Sequence, residues 1–131
     1  MAVDKIVLIS LPVSDQERAK SFYQDILGFK VTADFIMGNA EAGERAGNRW
    51  VTLLPPGGGP SITLTTWFED LRPGVMKLSL STADVEKTYR ELKAKGVIPN
   101  NEISDAPWGK WFSIDDPDGN NWLITQNPRE A

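Results

Sequence analysis

The sequence predicts an α+β domain: two β-α-β-β-β modules forming a curved mixed sheet, with helices on the convex side and a concave ligand cleft. Three observations lead there. Apolar residues alternate with period two in several short runs and recur at helical spacing in two longer ones. The order of these runs repeats about 69 residues later, from Asp15 to Asp84. A single β-α-β-β-β unit cannot cover both faces of its own sheet, so pairing two of them is the physical solution.

Ile6 to Leu11 alternates as a strand, and Pro12, lacking an N–H, blocks further pairing. Ser14-Asp15-Gln16-Glu17 fits a capping box. Ala19, Phe22, Tyr23 and Ile26 follow at helical spacing as far as Leu27-Gly28, giving one amphipathic helix of about three turns. Phe29 to Met37, Asn48 to Leu54 and Ser61 to Trp67 are the next strands, with Pro55 to Pro60 as the hairpin loop between the last two. Gly38 to Gly47 is polar and glycine-punctuated, a loop placed to matter for ligand entry. After the Pro73-Gly74 turn, Val75 to Ser81 is a strand, and Asp84 caps a helix carrying Val85, Tyr89 and Leu92 that ends at Lys95-Gly96. Val97 to Ile103, Lys110 to Ile114 and Asn121 to Gln126 complete the second module. Its final turn is Asp116-Pro117-Asp118-Gly119-Asn120. Residues 1–131 are thus expected to form a single domain, with module 1 at about 1–70 and module 2 at about 73–131.

Composition narrows the chemistry. With 40% hydrophobic and 24% charged residues the chain is an ordinary globular one. It has no cysteine and no histidine, which excludes disulfides, thiolate nucleophiles, a Ser-His-Asp triad and any His-ligated metal. A metal would have to be held by oxygen ligands alone. The formal charge of -4 argues against nucleic acid, and a cationic ligand would be tolerated better. Ile6 to Leu11 is far too short to span a bilayer and no basic region precedes a cleavage-like site, so a cytoplasmic protein without a membrane partner is expected. Asp115, Asp116 and Asp118 lack the ligand spacing of a calcium loop and serve an Asp-Gly turn. Gly57-Gly58-Gly59 lacks the Lys-Ser or Lys-Thr of a phosphate loop.

Leu11-Pro12-Val13-Ser14-Asp15, Phe22-Tyr23 and Leu27-Gly28-Phe29 resemble the opening of vicinal oxygen chelate proteins, the glyoxalase, bleomycin-resistance and extradiol dioxygenase fold. Pro107-Trp108-Gly109, Phe112 and Asp116-Pro117-Asp118-Gly119-Asn120 resemble their closing hairpin. In metalloenzymes of that family, His or Glu ligands stand on strands facing the cleft. The matching positions here are Leu8, Thr63, Lys77 and Leu123. Two apolar side chains, one hydroxyl and one cation cannot coordinate a divalent ion, so no metal and no other cofactor is expected. A register slip of one residue would bring in only Val7 or Ile9, Ile62 or Leu64, Met76 or Leu78, and Trp122 or Ile124, none of them better.

On this register, alternation sends Ser10, Thr52, Thr63, Thr65, Ser79, Ser113 and Thr125 toward the cleft, together with Leu8, Leu123, Trp50, Trp67, Trp111 and Lys77. Aromatic walls with scattered hydroxyls suit a planar or amphipathic organic ligand. The bland alternative is that the tryptophans fill a core or a dimer interface. Lys77 is the single candidate for catalysis, as an acid, a base or a positive charge; otherwise it is a strand-end lysine with its head in solvent. Arg49 and Lys110 are weaker candidates.

The resemblance implies a metal-free binder like the bleomycin-resistance proteins, sequestering a small organic ligand such as a drug or toxin in clefts of a homodimer. One alternative is a metal-independent glyoxalase-like lyase or isomerase using Lys77 and a loop carboxylate such as Glu41 or Glu44. Another is a structural or regulatory module whose cleft is filled by its own side chains.

Overall fold

The computed structural model describes residues 2–38, 43 and 46–126. The chain divides into two compact units at Pro73/Gly74. In the first, β1 (Leu8–Pro12), α1 (Gln16–Ser21), β2 (Lys30–Ile36), β3 (Arg49–Leu54) and β4 (Ser61–Thr65) follow one another. The second holds β5 (Lys77–Ser81), α2 (Val85–Ala94), β6 (Ser104–Ala106), β7 (Gly109–Asp115) and β8 (Asn121–Gln126). This is the expected α+β class with its repeated β-α-β-β-β order. Hydrogen bonds gather the strands into two four-stranded mixed sheets, β1-β4-β3-β2 and β5-β8-β7-β6, one in each unit. In both, the first strand pairs in parallel with the last.

In module 1, Asp15 caps α1 by accepting from Arg18 N at 3.1 Å, so the N-cap is one residue later than the expected Ser14. The helix is not regular to its end, because Phe22–Ile26 winds as a π turn, with Leu27 N donating to Phe22 O at 3.2 Å. The wider turn lets the adjacent Phe22 and Tyr23 both bury, edge to face at 5.2 Å, and Tyr23 in turn meets Phe29. Gly28, at φ 76°, then reverses the chain as only glycine does without strain. Gln16 Nε2 ties the helix to the sheet, donating to Leu64 O at 2.9 Å and Arg49 O at 2.6 Å. The core is Leu11, Val51, Leu53, Ile62 and Leu64 from the sheet against Ala19, Phe22 and Tyr23, all buried. Each such apolar side chain contributes roughly 1.5–3 kcal/mol.

Module 2 repeats the plan. Asp84 caps α2 through Lys87 N at 3.1 Å, as the sequence predicts. Tyr89 packs edge to face on Phe112 at 5.1 Å, and Phe112, Ile114, Trp122 and Ile124 are buried with Val85 and Leu92.

Several boundaries differ from the sequence reading. The first strand starts at Leu8, leaving Ile6 and Val7 exposed, although Val7 O still accepts from Ser61 N. The fourth stops at Thr65 and the fifth begins at Lys77. The strand expected over Val97 to Ile103 lies instead at Ser104–Ala106. Pro99 has no N–H to offer a ladder. The neighbouring asparagines take over: Asn100 N donates to Ser113 O, and Asn101 Oδ1 accepts from Ser113 N at 3.0 Å, a side chain replacing main-chain pairing.

Candidate functional site

Each sheet has a helix face and an opposite face, and side-chain contacts fix which residues lie where. In module 1, Arg49 Nη2 reaches Glu17 at 2.9 Å and Asp34 at 2.7 Å, and Lys20 reaches Asp34 at 2.7 Å, so Arg49 and Asp34 point toward α1. Alternation then puts Trp50 and Thr52 on the opposite face. The pairings Thr52↔Thr63 and Ser10↔Thr63 carry that face across β4 and β1, so Leu8, Ser10, Thr63 and Thr65 share it. Trp67, just beyond β4, stacks on Trp50 with ring centroids 6.4 Å apart and planes at 24°.

Module 2 is sorted by face in the same way. Lys110 pairs with Glu86 on α2 at 3.4 Å and Phe112 packs on Tyr89, so Trp111 and Ser113 face away from the helix. Ser113↔Leu123↔Ser79 extends the face to Lys77, Leu123 and Thr125. The sequence-predicted residues therefore fall on two helix-free faces. Leu8, Ser10, Trp50, Thr52, Thr63, Thr65 and Trp67 belong to module 1; Lys77, Ser79, Trp111, Ser113, Leu123 and Thr125 belong to module 2. Arg49 and Lys110 are on the helix sides, occupied in ion pairs.

The two faces differ in exposure. In module 1, Thr63 and Thr65 are 1% and 2% exposed. Thr63 Oγ1, Thr65 Oγ1 and Trp67 Nε1 are the buried side-chain polar atoms without a hydrogen-bond partner among the described residues. Leaving a buried donor or acceptor unmet costs about 1–3 kcal/mol, and these three stand on successive alternate positions. Thr52 is different: its hydroxyl lies 2.7 Å from Thr32 Oγ1, a contact made possible by the bulge between Val31 and Ala33. In module 2, by contrast, Lys77, Ser79 and Ser81 are exposed, Trp111 and Leu123 half-buried, and only Ser113 buried.

Electrostatics sharpens the contrast between helix side and opposite side. The hydrogen bond from Arg49, then that from Lys20, holds the Asp34 carboxyl far below the usual carboxylate range, and Asp34, then Glu17, holds the Arg49 guanidinium more firmly protonated still. That network belongs to the helix side. On the opposite face of module 2, Asp115 Oδ1 accepts from Asn100 Nδ2 at 3.1 Å and Asn121 Nδ2 at 3.0 Å.

The four positions matching the family's metal ligands do not suit a metal. Leu8 and Thr63 share one face and Lys77 and Leu123 the other, but only the Thr63 hydroxyl offers a lone pair and no anion is among them. Among the described residues no three carboxylates gather where an ion could sit. Glu41 and Glu44 lie outside the described residues. No helix among those residues is long and apolar enough to cross a membrane.

The sequence reading missed three contributors. Trp108 stacks on Trp111 at 6.3 Å and 29°, giving module 2 its own tryptophan pair; its place in the Pro107-Trp108-Gly109 turn was the available signal. Phe35 is paired with Trp50 across β2 and β3. Thr32 reaches the face only through the bulge, which leaves no mark in the periodicity.

A duplicated β-α-β-β-β chain with indoles and hydroxyls on its helix-free faces, and with Leu8, Thr63, Lys77 and Leu123 where metal ligands would stand, is a vicinal oxygen chelate protein with the metal positions missing. The chain belongs to the glyoxalase/bleomycin resistance protein/dioxygenase superfamily, whose family model matches residues 5–124. Among solved structures it is similar to TnmS3, an antibiotic binding protein from Streptomyces sp. CB03234, with 35% identity, a TM-score of 0.86, and coverage of 97% of this chain and 98% of that one. A glyoxalase/bleomycin resistance protein from the same organism is also 35% identical, with a TM-score of 0.78 over 93% of this chain and 100% of the other. The Bacillus subtilis (strain 168) protein YetH is 28% identical over 95% of this chain and 99% of its own.

Proposed function

We propose that this protein binds and sequesters a small aromatic or amphipathic molecule, a drug or toxin, without a metal and without transforming it. The observation that carries the reading is on module 1. The stacked Trp50 and Trp67 share a helix-free face with Thr63 and Thr65, and there Thr63 Oγ1, Thr65 Oγ1 and Trp67 Nε1 are buried without partners among the described residues. Indole faces offer apolar area to a flat ligand, and the unmet hydroxyls and N–H offer it hydrogen bonds. The similarity to an antibiotic binding protein over nearly the whole chain favours the same class of ligand. Lys77, the residue that catalysis would need, is exposed at the first position of β5, which weighs against a desolvated acid or base.

The test is a fluorescence titration and thermal-shift screen with antibiotics, divalent metals and glutathione adducts in parallel. A ligand that binds only the folded state raises its melting temperature. A drug-induced shift with no response to metals is expected, together with weaker binding by folded Trp67→Ala and Trp111→Ala. Unchanged affinity in both variants would remove the site, and a stoichiometric metal response would remove the metal-free reading.

A further inference from the structure

The charges of module 1 are sorted by face. Glu17, Lys20, Asp34 and Arg49 are spent on one another on the helix side. The two cross-strand rows that contain the orphaned hydroxyls are Ser10–Thr63–Thr52–Ala33 and Pro12–Thr65, with Trp50–Phe35 continuing the second. Neither row contains an ionisable side chain. The cation this face does carry among the described residues, Lys30, is exposed at the start of the outer strand, in the row of Leu54. Among the described residues these two rows therefore offer aromatic surface and hydrogen bonds but no counter-charge.

From this sorting we infer that module 1 selects an uncharged, flat, oxygen-bearing aromatic ligand, although the protein's acidic net charge alone would favour a cation. The inference rests on the binding function proposed above and specifies its ligand. Trp67 Nε1–H can only donate, so the ligand must present an acceptor, such as a ring carbonyl, to it. The two threonine hydroxyls can donate or accept, so they fit carbonyl, ether or hydroxyl oxygens. Successive positions on one face of a strand are about 6.6 Å apart, a spacing that matches oxygens on opposite edges of a fused-ring system rather than those of one small group. A ligand cation would gain attraction from the indole faces. It would lose more by leaving water for rows without a carboxylate.

Three shape-matched tricyclic probes separate these properties: xanthone, neutral with a carbonyl; xanthene, neutral without it; and proflavine, a cation at neutral pH. Tryptophan quenching of the whole protein is titrated with each. Xanthone is expected to bind about tenfold tighter than xanthene, the worth of one hydrogen bond to a buried donor, and tighter than proflavine by at least that factor. Trp67→Phe keeps an aromatic ring but removes the N–H, so it should cost xanthone more than xanthene and bring the two to the same level. Thr65→Val, which preserves shape, should weaken xanthone. Proflavine binding as tightly as xanthone, or xanthene matching xanthone in the unaltered protein, overturns the inference while leaving an aromatic binder in place. Failure of all three probes to bind overturns both.

Discussion

If Thr63 and Thr65 hold hydroxyls for a ligand, removing those hydroxyls should make the free protein more stable. Valine has the shape of threonine with a methyl in place of the hydroxyl, so Thr63→Val and Thr65→Val open no cavity. Both sites are almost fully buried and both oxygens lack a partner among the described residues. The penalty for such a group is about 1–3 kcal/mol. Taking the lower end, to allow for partial hydration, gives a gain of about 1 kcal/mol per site and a melting point higher by roughly 4 °C. The two positions are close on one strand, so the double variant need not give the sum. Thr52→Val is the internal control. It makes the same exchange on the same face, but this hydroxyl is bonded to Thr32 at 2.7 Å, and its loss should cost about 1 kcal/mol. Urea unfolding at constant slope reads all three. A lower midpoint for Thr63→Val and Thr65→Val would show that ordered water already satisfies these oxygens, and the argument for a waiting site would fail.

Three further outcomes follow from the scaffold. Because Asp34 has its folded pKa depressed by Arg49 and then Lys20, its contribution to stability is complete above the unfolded value of 3.8 and is lost as pH falls through the folded one. Asp34→Asn should cost about 1 kcal/mol at neutral pH, discounted for a side chain that is partly solvated, and should flatten the loss of stability below about pH 4 in acid titrations followed by circular dichroism. Gly74 has φ 88°, and a Cβ there would lie 2.4 Å from Asp118 O, so Gly74→Ala should destabilise by about 2 kcal/mol or more in urea melts. Asn120 is fully buried; its Oδ1 accepts from Gly74 N and Met76 N at 3.1 Å each and its Nδ2 donates to Asp116 at 2.9 Å. Asn120→Ala should cost about 3 kcal/mol and speed hydrogen exchange at the Gly74 and Met76 amides specifically.

The duplication, both helices and most strands were legible because they are written in periodicity and end signals. Asp84 before Val85 and Gly28 after Leu27 act locally, and an alternating run such as Lys110 to Ile114 keeps its faces whatever surrounds it. The faces were legible for the same reason: one correct residue on a strand places its neighbours. What escaped depends on partners distant in sequence. The π turn at Phe22–Ile26 arises from packing two adjacent aromatics, and the bulge at Thr32 from pairing with β3. The shift of β6 to Ser104 reflects asparagine side chains competing for Ser113. The ion network joining Glu17, Lys20, Asp34 and Arg49 spans 32 residues of sequence, and no local pattern announces it.

The internal repeat bears on whether the polar face of module 1 serves folding or a ligand. Cross-strand pairing equates Leu8 with Lys77, Trp50 with Trp111, Thr52 with Ser113, Thr63 with Leu123 and Thr65 with Thr125. On the helix sides the two modules solve one packing problem alike, with a strand-start cation bonded to a first-turn glutamate in each: Arg49 to Glu17, Lys110 to Glu86. On the opposite sides they diverge. Where module 2 carries Leu123, module 1 carries Thr63, 1% exposed and with no partner for its hydroxyl among the described residues. The matching position in the sister module carries an aliphatic side chain, half-buried where Thr63 is buried, so the repeat itself does not dictate a hydroxyl there. On the binding function proposed above, a polar group kept at a position where it weakens the free protein would be met in the complex, and the buried N–H of the neighbouring indole would meet an oxygen of the same ligand.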